Sequence, residues 1–509
     1  MTPTGVRRAL ATIACAAAGE AVAQQDPAPV EVADAYDEAI SHPVFEDFAP
    51  RIFVAPPRAT LRPDDTRAGP SGVLQGAGPS AWPLLHRDDR LTVNGSLAAT
   101  LGAFAFRNNQ FAPPASQATP DFRDDPAWGE LFVEPGLTAQ WRLSTSTSVY
   151  GGIAYMETAT RGVDYDGVGN TWHGDVEQLY AGARWEDSAR KLLLDVSYGQ
   201  QNLALGQSFL IASGASNGAQ RGANFLGPRT AWANAAIAKA TIGDVTAQAF
   251  WLKPNDATSA DTGTRISGLE VAWDRDGPLR GAALYMYVPN SSIATRDGLN
   301  VYDVRMRWHP LASAPNAWLQ GEYAWQRKDG VAARGWYAAL NYNAKDALWK
   351  PLAMLRYAWF SGDKPGTAKW EGFDSLYFGG GNPDWYQGKL ASTLFDNTNL
   401  ASVAASITLT PVERNLVQVV VLSLRAVEAN APLAVPDPNQ PVTSGGGVPA
   451  RALANEIDVV WTYTASKQVN VNVFAAYAVP GAGYKDLYAS QGGSARAWSG
   501  VGAQVNVNY

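Results

Sequence analysis

The chain ends with AWSGVGAQVNVNY over residues 497–509. From Ala497 the odd positions carry Ala, Ser, Val, Ala, Val, Val and Tyr509, and the even positions from Trp498 carry Trp, Gly, Gly, Gln, Asn and Asn. A strand turns successive side chains to opposite faces, so one face of this segment is apolar and the other polar. A strand set between lipid and water requires that pattern.

The same period recurs upstream. Leu137, Ala139, Trp141 and Leu143 alternate with Thr138, Gln140 and Arg142, and Leu179, Ala181, Ala183 and Trp185 with Gln178, Tyr180, Gly182 and Arg184. Tyr302, Val304, Met306 and Trp308 alternate with Asp303, Arg305 and Arg307. Residues 415–427 depart from this: Val417, Val419 and Val421 mix with Leu422 and Leu424, so both faces read as apolar or a bulge intervenes. Trp141, Tyr150, Tyr155, Trp185, Trp308, Trp325, Trp359 and Tyr477 fall near strand ends, where amphipathic rings would form two girdles at headgroup level.

Short links (144–147, 187–190, 241–244, 276–278, 310–314, 344–350, 411–414, 465–467) alternate with longer Gly/Asp/Pro/Asn-rich ones. The longer set is 108–135, 160–176, 200–229, 254–265, 289–298, 328–333, 362–398, 428–452 and 480–495. Outer-membrane barrels keep this parity because periplasmic turns are tight and outward loops long. The reading is an all-β transmembrane antiparallel β-barrel of about eighteen strands, wide enough for an aqueous channel.

Composition agrees. The 509 residues carry 17% charged side chains against about 25% in soluble domains, with 18 Trp, 20 Tyr and 48 Gly. Net charge is -7, which argues against a large nucleic-acid surface. The single cysteine, Cys15, rules out a disulfide framework or a thiolate metal site. The four histidines, His42, His86, His173 and His309, are scattered, and no Gly-x-Ser-x-Gly elbow occurs. No enzyme, metal or cofactor is expected.

Residues 1–23 read as a signal peptide: Arg7-Arg8, an apolar stretch from Ala9 to Gly19, then Ala21-Val22-Ala23. Its removal takes the charge from -7 to -8. Residues 24–88 form a Pro/Asp-rich leader, extended or acting as a plug, and 89–509 form the barrel.

Residues 356–389 read RYAWFSGDKPGTAKWEGFDSLYFGGGNPDWYQGK, followed by Asn399-Leu400. The Tyr357-Ala358 strand, Ser361-Gly362-Asp363, Phe373-Asp374-Ser375-Leu376 and Trp385-Tyr386-Gln387-Gly388 resemble the alginate-export family of outer-membrane barrels. Gly335–Ala339 and Asn455–Asp458 are similar to it as well. The resemblance implies a monomeric 18-stranded barrel in the bacterial outer membrane; the family's namesake exports an anionic polysaccharide through an arginine-rich pore. Tyr509 resembles the C-terminal aromatic read by the barrel-assembly machinery. Lipid and lipopolysaccharide would surround the wall.

Parity places Arg142, Arg184, Asp195, Asp303, Arg305, Arg307, Glu322, Arg356 and Asp458 on the lumen face as pore-lining candidates. Charged rings set ion selectivity, and the arginine fork suits carboxylate cargo. Cross-strand pairing that stiffens the wall is the alternative, and the mixture of signs counts against a purely cationic pore. Glu456 stands on the polar face as another acid. In the 362–398 loop, Trp370, Phe373, Trp385 and Tyr386 are constriction candidates that would stack on sugar faces or pack the loop into the barrel mouth. The function expected is a porin-like channel for hydrophilic solutes or saccharides, anionic ones included. The alternative is a plugged barrel whose long loops bind a partner.

Overall fold

A computed structural model describes residues 84–508 except 116–120, 188, 216–220, 274–277, 312, 380–384, 438–446 and 467. Residues 1–23, read from the sequence as a signal peptide, residues 24–83 of the expected leader, and Tyr509 lie outside the described residues. The period-two segments become strands, each antiparallel to the next. They run β1 (Leu84–Arg87), β2 (Leu91–Arg107), β3 (Ala127–Arg142), β4 (Thr147–Gly162), β5 (Trp172–Asp187), β6 (Leu192–Gln201), β7 (Trp232–Ile242), β8 (Val245–Lys253) and β9 (Arg265–Trp273). They continue as β10 (Leu279–Asn290), β11 (Asn300–Trp308), β12 (Ala317–Lys328), β13 (Val331–Asn343), β14 (Leu352–Phe360), β15 (Leu400–Val412), β16 (Asn415–Ala426), β17 (Ala452–Thr464), β18 (Val469–Pro480) and β19 (Trp498–Asn508). One helix, α1 (Ala482–Ser490), lies between β18 and β19.

β19 pairs with β2 from Asn508↔Ala98 to Ser499↔Arg107, so β2 to β19 close as an 18-strand antiparallel barrel. Closure removes the free edges that an open sheet would expose. β2 extends past β19, and β1 pairs with that extension at Leu84↔Asn94 and Arg87↔Thr92. Residues 84–87, read from the sequence as leader, therefore belong to the sheet.

On β11, Tyr302, Val304, Met306 and Trp308 are exposed, while Asp303, Arg305 and Arg307 are buried on the inner face. Exposed rings collect at both rims: Trp141, Trp273, Trp308 and Trp349 at the short-turn end, Tyr155, Trp172, Tyr302 and Trp325 at the long-loop end. Tyr150 is a correction to the girdle: it points inward and its hydroxyl donates to Asp195 Oδ1 at 2.6 Å. On β16 both faces are apolar, as one of the two sequence readings had it. Val421 points outward, whereas Val420, Leu422 and Leu424 point inward onto an apolar filling.

That filling departs from the expectation of a wide aqueous lumen. At the long-loop end, segments 202–231, 361–399 and 427–451 and helix α1 supply Phe209, Phe373, Trp385, Leu390, Leu433 and Tyr484 to one buried cluster. The upper inner wall meets them with Phe104, Trp128, Tyr337 and Phe360. Loops so rich in large rings gain more by burial than by hydration, at about 1.5–3 kcal/mol per large side chain. The two longest loops are also joined to each other. Ala212 N–H donates to Tyr377 O, Tyr377 N–H to Leu210 O and Gly379 N–H to Ser208 O, at 2.8–3.0 Å.

The link at 328–333, read as long, is corrected to a tight hairpin. Lys328 pairs with Val331 across Asp329-Gly330. Gly330 has φ of 71°, and an added Cβ would have open space around it. Gly330→Ala should therefore cost about 1–2 kcal/mol through backbone strain alone. The expected reading is a lower denaturant midpoint in detergent; an unchanged midpoint would show that the turn relaxes freely.

Candidate functional site

The inner wall carries two kinds of polar machinery. The first fastens the loops. On β3, Glu130 accepts the N–H groups of Phe225 at 3.1 Å and Leu226 at 2.8 Å. On β5, a bulge opposite Ala154 and Tyr155 turns Glu177 inward beside Gln178. Its carboxylate accepts from Thr230 N at 2.8 Å and Ala231 N at 2.9 Å, with Arg229 at 3.4 Å. On β17, Glu456 accepts from Leu390 N and Ala391 N, both at 2.8 Å. Asp458 accepts from the Tyr386 hydroxyl and from Lys389 N. Each such bond to a charged acceptor contributes about 1.5–3 kcal/mol. The loops are held by their backbones, so the fastening acts through chain shape.

A further link joins loop to loop. Arg296, between β10 and β11, makes a two-pronged pair with Asp374 in the 361–399 segment, Nε to Oδ2 and Nη2 to Oδ1, each at 2.8 Å. Gln326 on β12 secures the same residue by its backbone: Asp374 N–H donates to Gln326 Oε1 at 2.8 Å, and Gln326 Nε2 donates to Asp374 O at 2.5 Å.

The second kind is a charged patch. Arg305 Nη2 meets Glu270 Oε2 at 2.5 Å, and its Nη1 lies 3.8 Å from Asp303 Oδ1. Glu322 stands directly opposite Arg305. Arg280 and Arg307 are direct cross-strand neighbours, and the Arg307 guanidinium lies 4.9 Å from the Trp318 ring centroid. On the inner faces of β9 to β12, Arg280, Arg305 and Arg307 are set against Glu270, Asp303 and Glu322. The formal charges cancel.

The pore-lining candidates thus divide. Asp303, Arg305, Arg307 and Glu322 share the balanced patch. Arg184 Nε pairs with Asp195 Oδ2 at 3.1 Å, directly across β5 and β6. Arg142 is exposed at the short-turn end of β3. Arg356 is buried beneath the loop, 4.3 Å from the Trp385 ring centroid, and donates to Tyr386 O. Asp458 is a fastener. Of the constriction candidates, Phe373, Trp385 and Tyr386 are buried in the filling, and Trp370 is partly buried against it. Residue parity alone does not single out Glu130, Glu177, Arg296 or Asp374 as fasteners. Glu130 does stand at inner-face parity on β3, beside Glu134, whereas Glu177 has outer-face parity and reaches the inside only through the bulge, and Arg296 lies in a loop, so no periodicity signals either of these two.

Among loop groups, burial pushes the Lys389 amine down to about 8, partly offset by Asp458 and Glu456, and its ammonium lies 5.3 Å from the Phe474 ring centroid. Burial, and then Asp261, raise Asp256 to about 6. An acid whose folded pKa is raised stabilises the fold most when protonated: fully below about 4, and lost as pH rises through about 6. Relative to Asp256→Asn, the native chain should gain thermal stability as pH falls from 7 to 4. Parallel pH curves for the two proteins would refute this.

None of the curated proteins matches the chain. Among solved structures, Pseudomonas aeruginosa OpdL is similar at 12% identity and TM-score 0.50, covering 82% of this chain and 98% of its own. Acinetobacter baumannii OccAB1 is 12% identical with TM-score 0.49, covering 82% and 96%. The OpdL likeness concerns the fold alone. The family model for alginate export matches residues 156–497. With its closed wall, apolar outer belt and polar inner face, this is an outer-membrane channel barrel of bacteria, and the chain belongs to the alginate export family.

Proposed function

We propose that the protein is a diffusion channel for small hydrophilic solutes, saccharides among them, with its short-turn end facing the periplasm. The observation that carries this reading is the inner face of the closed 18-strand wall, lined with amides, hydroxyls and charges. Selection by charge is weak, because the arginines of β10 and β11 are offset by as many carboxylates. The packed loop layer narrows the long-loop end and sets the conductance. A barrel-assembly contact through Tyr509 and a monomeric state complete the proposal.

The test is the single-channel current of the purified mature protein in a planar bilayer under a salt gradient. Ohmic steps with a reversal potential near zero are expected. Strong anion preference would make Arg305, Arg307 and Arg356 a filter. The packed loops favour a second reading, a plugged barrel whose long loops bind a partner; complete absence of current would sink the channel and leave that reading.

A further inference from the structure

Opposite the charged patch the wall changes character. In an 18-strand ring, β10 and β11 lie nine strands from β19 and β2, on the far side of the barrel. The inner faces of β18, β19 and β2 carry no ionisable residue. They carry amides and a hydroxyl in register instead. Asn470 stands opposite Asn506, which stands opposite Thr100; one rung further along, Asn472 stands opposite Gln504.

These groups are wired together. Thr100 Oγ1 donates to Asn506 Oδ1 at 2.8 Å, and Asn506 Nδ2 donates to Asn470 Oδ1 at 2.8 Å. Asn472 Nδ2 donates to Asn470 Oδ1 at 3.3 Å, and Gln504 Nε2 to Asn506 Oδ1 at 3.2 Å. The wiring leaves capacity over. Asn472 is 5% exposed, yet its Oδ1 has no partner among the described residues, and neither do Asn94 Nδ2 and Thr138 Oγ1 on facing positions of β2 and β3. Buried polar atoms are nearly always satisfied by something. A carboxamide presents a donor and an acceptor side by side, as does a pair of vicinal hydroxyls. It does so without charge, so it confers no preference for an ion.

We infer that this amide ladder is a binding track for an uncharged, hydroxyl-rich solute, a neutral oligosaccharide in chemical class. The inference rests on the channel reading and narrows it: the solute is held on the neutral side, while the charged side contributes no net field. Carboxylated sugars gain nothing from the ladder over their neutral counterparts.

The experiment uses the full mature protein with maltotriose as neutral probe and trigalacturonate as charged probe. Current block in a bilayer is read alongside calorimetric titration of the detergent-solubilised protein. Maltotriose should block the current and bind, with Asn472→Leu and Gln504→Leu each weakening both by severalfold. Heat-modifiable migration on gels confirms that each variant is folded, and Asn472→Gln, which keeps the carboxamide, should restore part of the binding. Block by trigalacturonate alone, or block unchanged in both leucine variants, would overturn the inference. If no current flows but maltotriose binds and loses affinity in the variants, the track stands and the channel reading falls. Ohmic current without maltotriose binding sinks the track and leaves the channel.

Discussion

Replacing residues 364–397 by a short Gly/Ser turn should raise single-channel conductance severalfold. The excised stretch carries Trp370, Phe373, Trp385, Tyr386, Leu390 and Phe395, which pack against Tyr337 and Phe360 of the wall. Removing them opens cross-section where the barrel is most filled. The barrel itself should persist, because β14 and β15 remain paired from Phe360↔Leu400 to Leu352↔Thr408 without help from the loop. Selectivity should move little. Glu456 and Asp458 lose the backbone donors at 389–391, but Arg296 loses Asp374 and Arg356 loses its cover of Trp385 and Tyr386, so two carboxylates and two guanidiniums are uncovered together. Their formal charges cancel, and the reversal potential should stay near its starting value. Unchanged conductance with intact folding would mean that ions do not cross the region occupied by this loop.

Arg296→Ala should loosen the same layer without deleting it. The guanidinium and the Asp374 carboxylate are both nearly buried and engage by two parallel bonds. Removing one member of such a pair costs about 3–5 kcal/mol, because the other charge is left buried without compensation. Asp374 would keep Leu376 N as a donor at 2.8 Å, which offsets part of the loss. The expected signs are a lower thermal midpoint, noisier open-channel current and faster proteolysis at Lys364 and Lys369, which precede Asp374 in the loop. Arg296→Lys keeps the charge but not the planar fork, so it should restore only part of the stability. The double variant with Asp374→Ala should be more stable than Arg296→Ala alone, since no orphaned charge remains. Equal instability of the double and single variants would show that the pair is not the latch.

The sequence alone determined the barrel, because lipid outside and water inside impose a period of two on each strand, and that signal is local. It could be read on β11 from Tyr302 to Trp308 and on the last strand from its Val and Asn positions. The family was legible for a similar reason, in the contiguous stretch 356–389. Where two environments differ from lipid and water, the reading failed or stayed open: β16 is apolar on both faces because its inner face packs on loops, and Asp329-Gly330 is a turn among long loops. Parity identified which charges face inward, but not what they do there. Glu456 meets Leu390 and Ala391, and Glu130 meets Phe225 and Leu226, across distances in sequence that no periodicity spans. Arg305 is matched by Glu270 from two strands away. Only the closed tertiary structure decides whether an inward charge fastens a loop, cancels a neighbour or faces the solute, because each outcome depends on which distant backbone reaches it first.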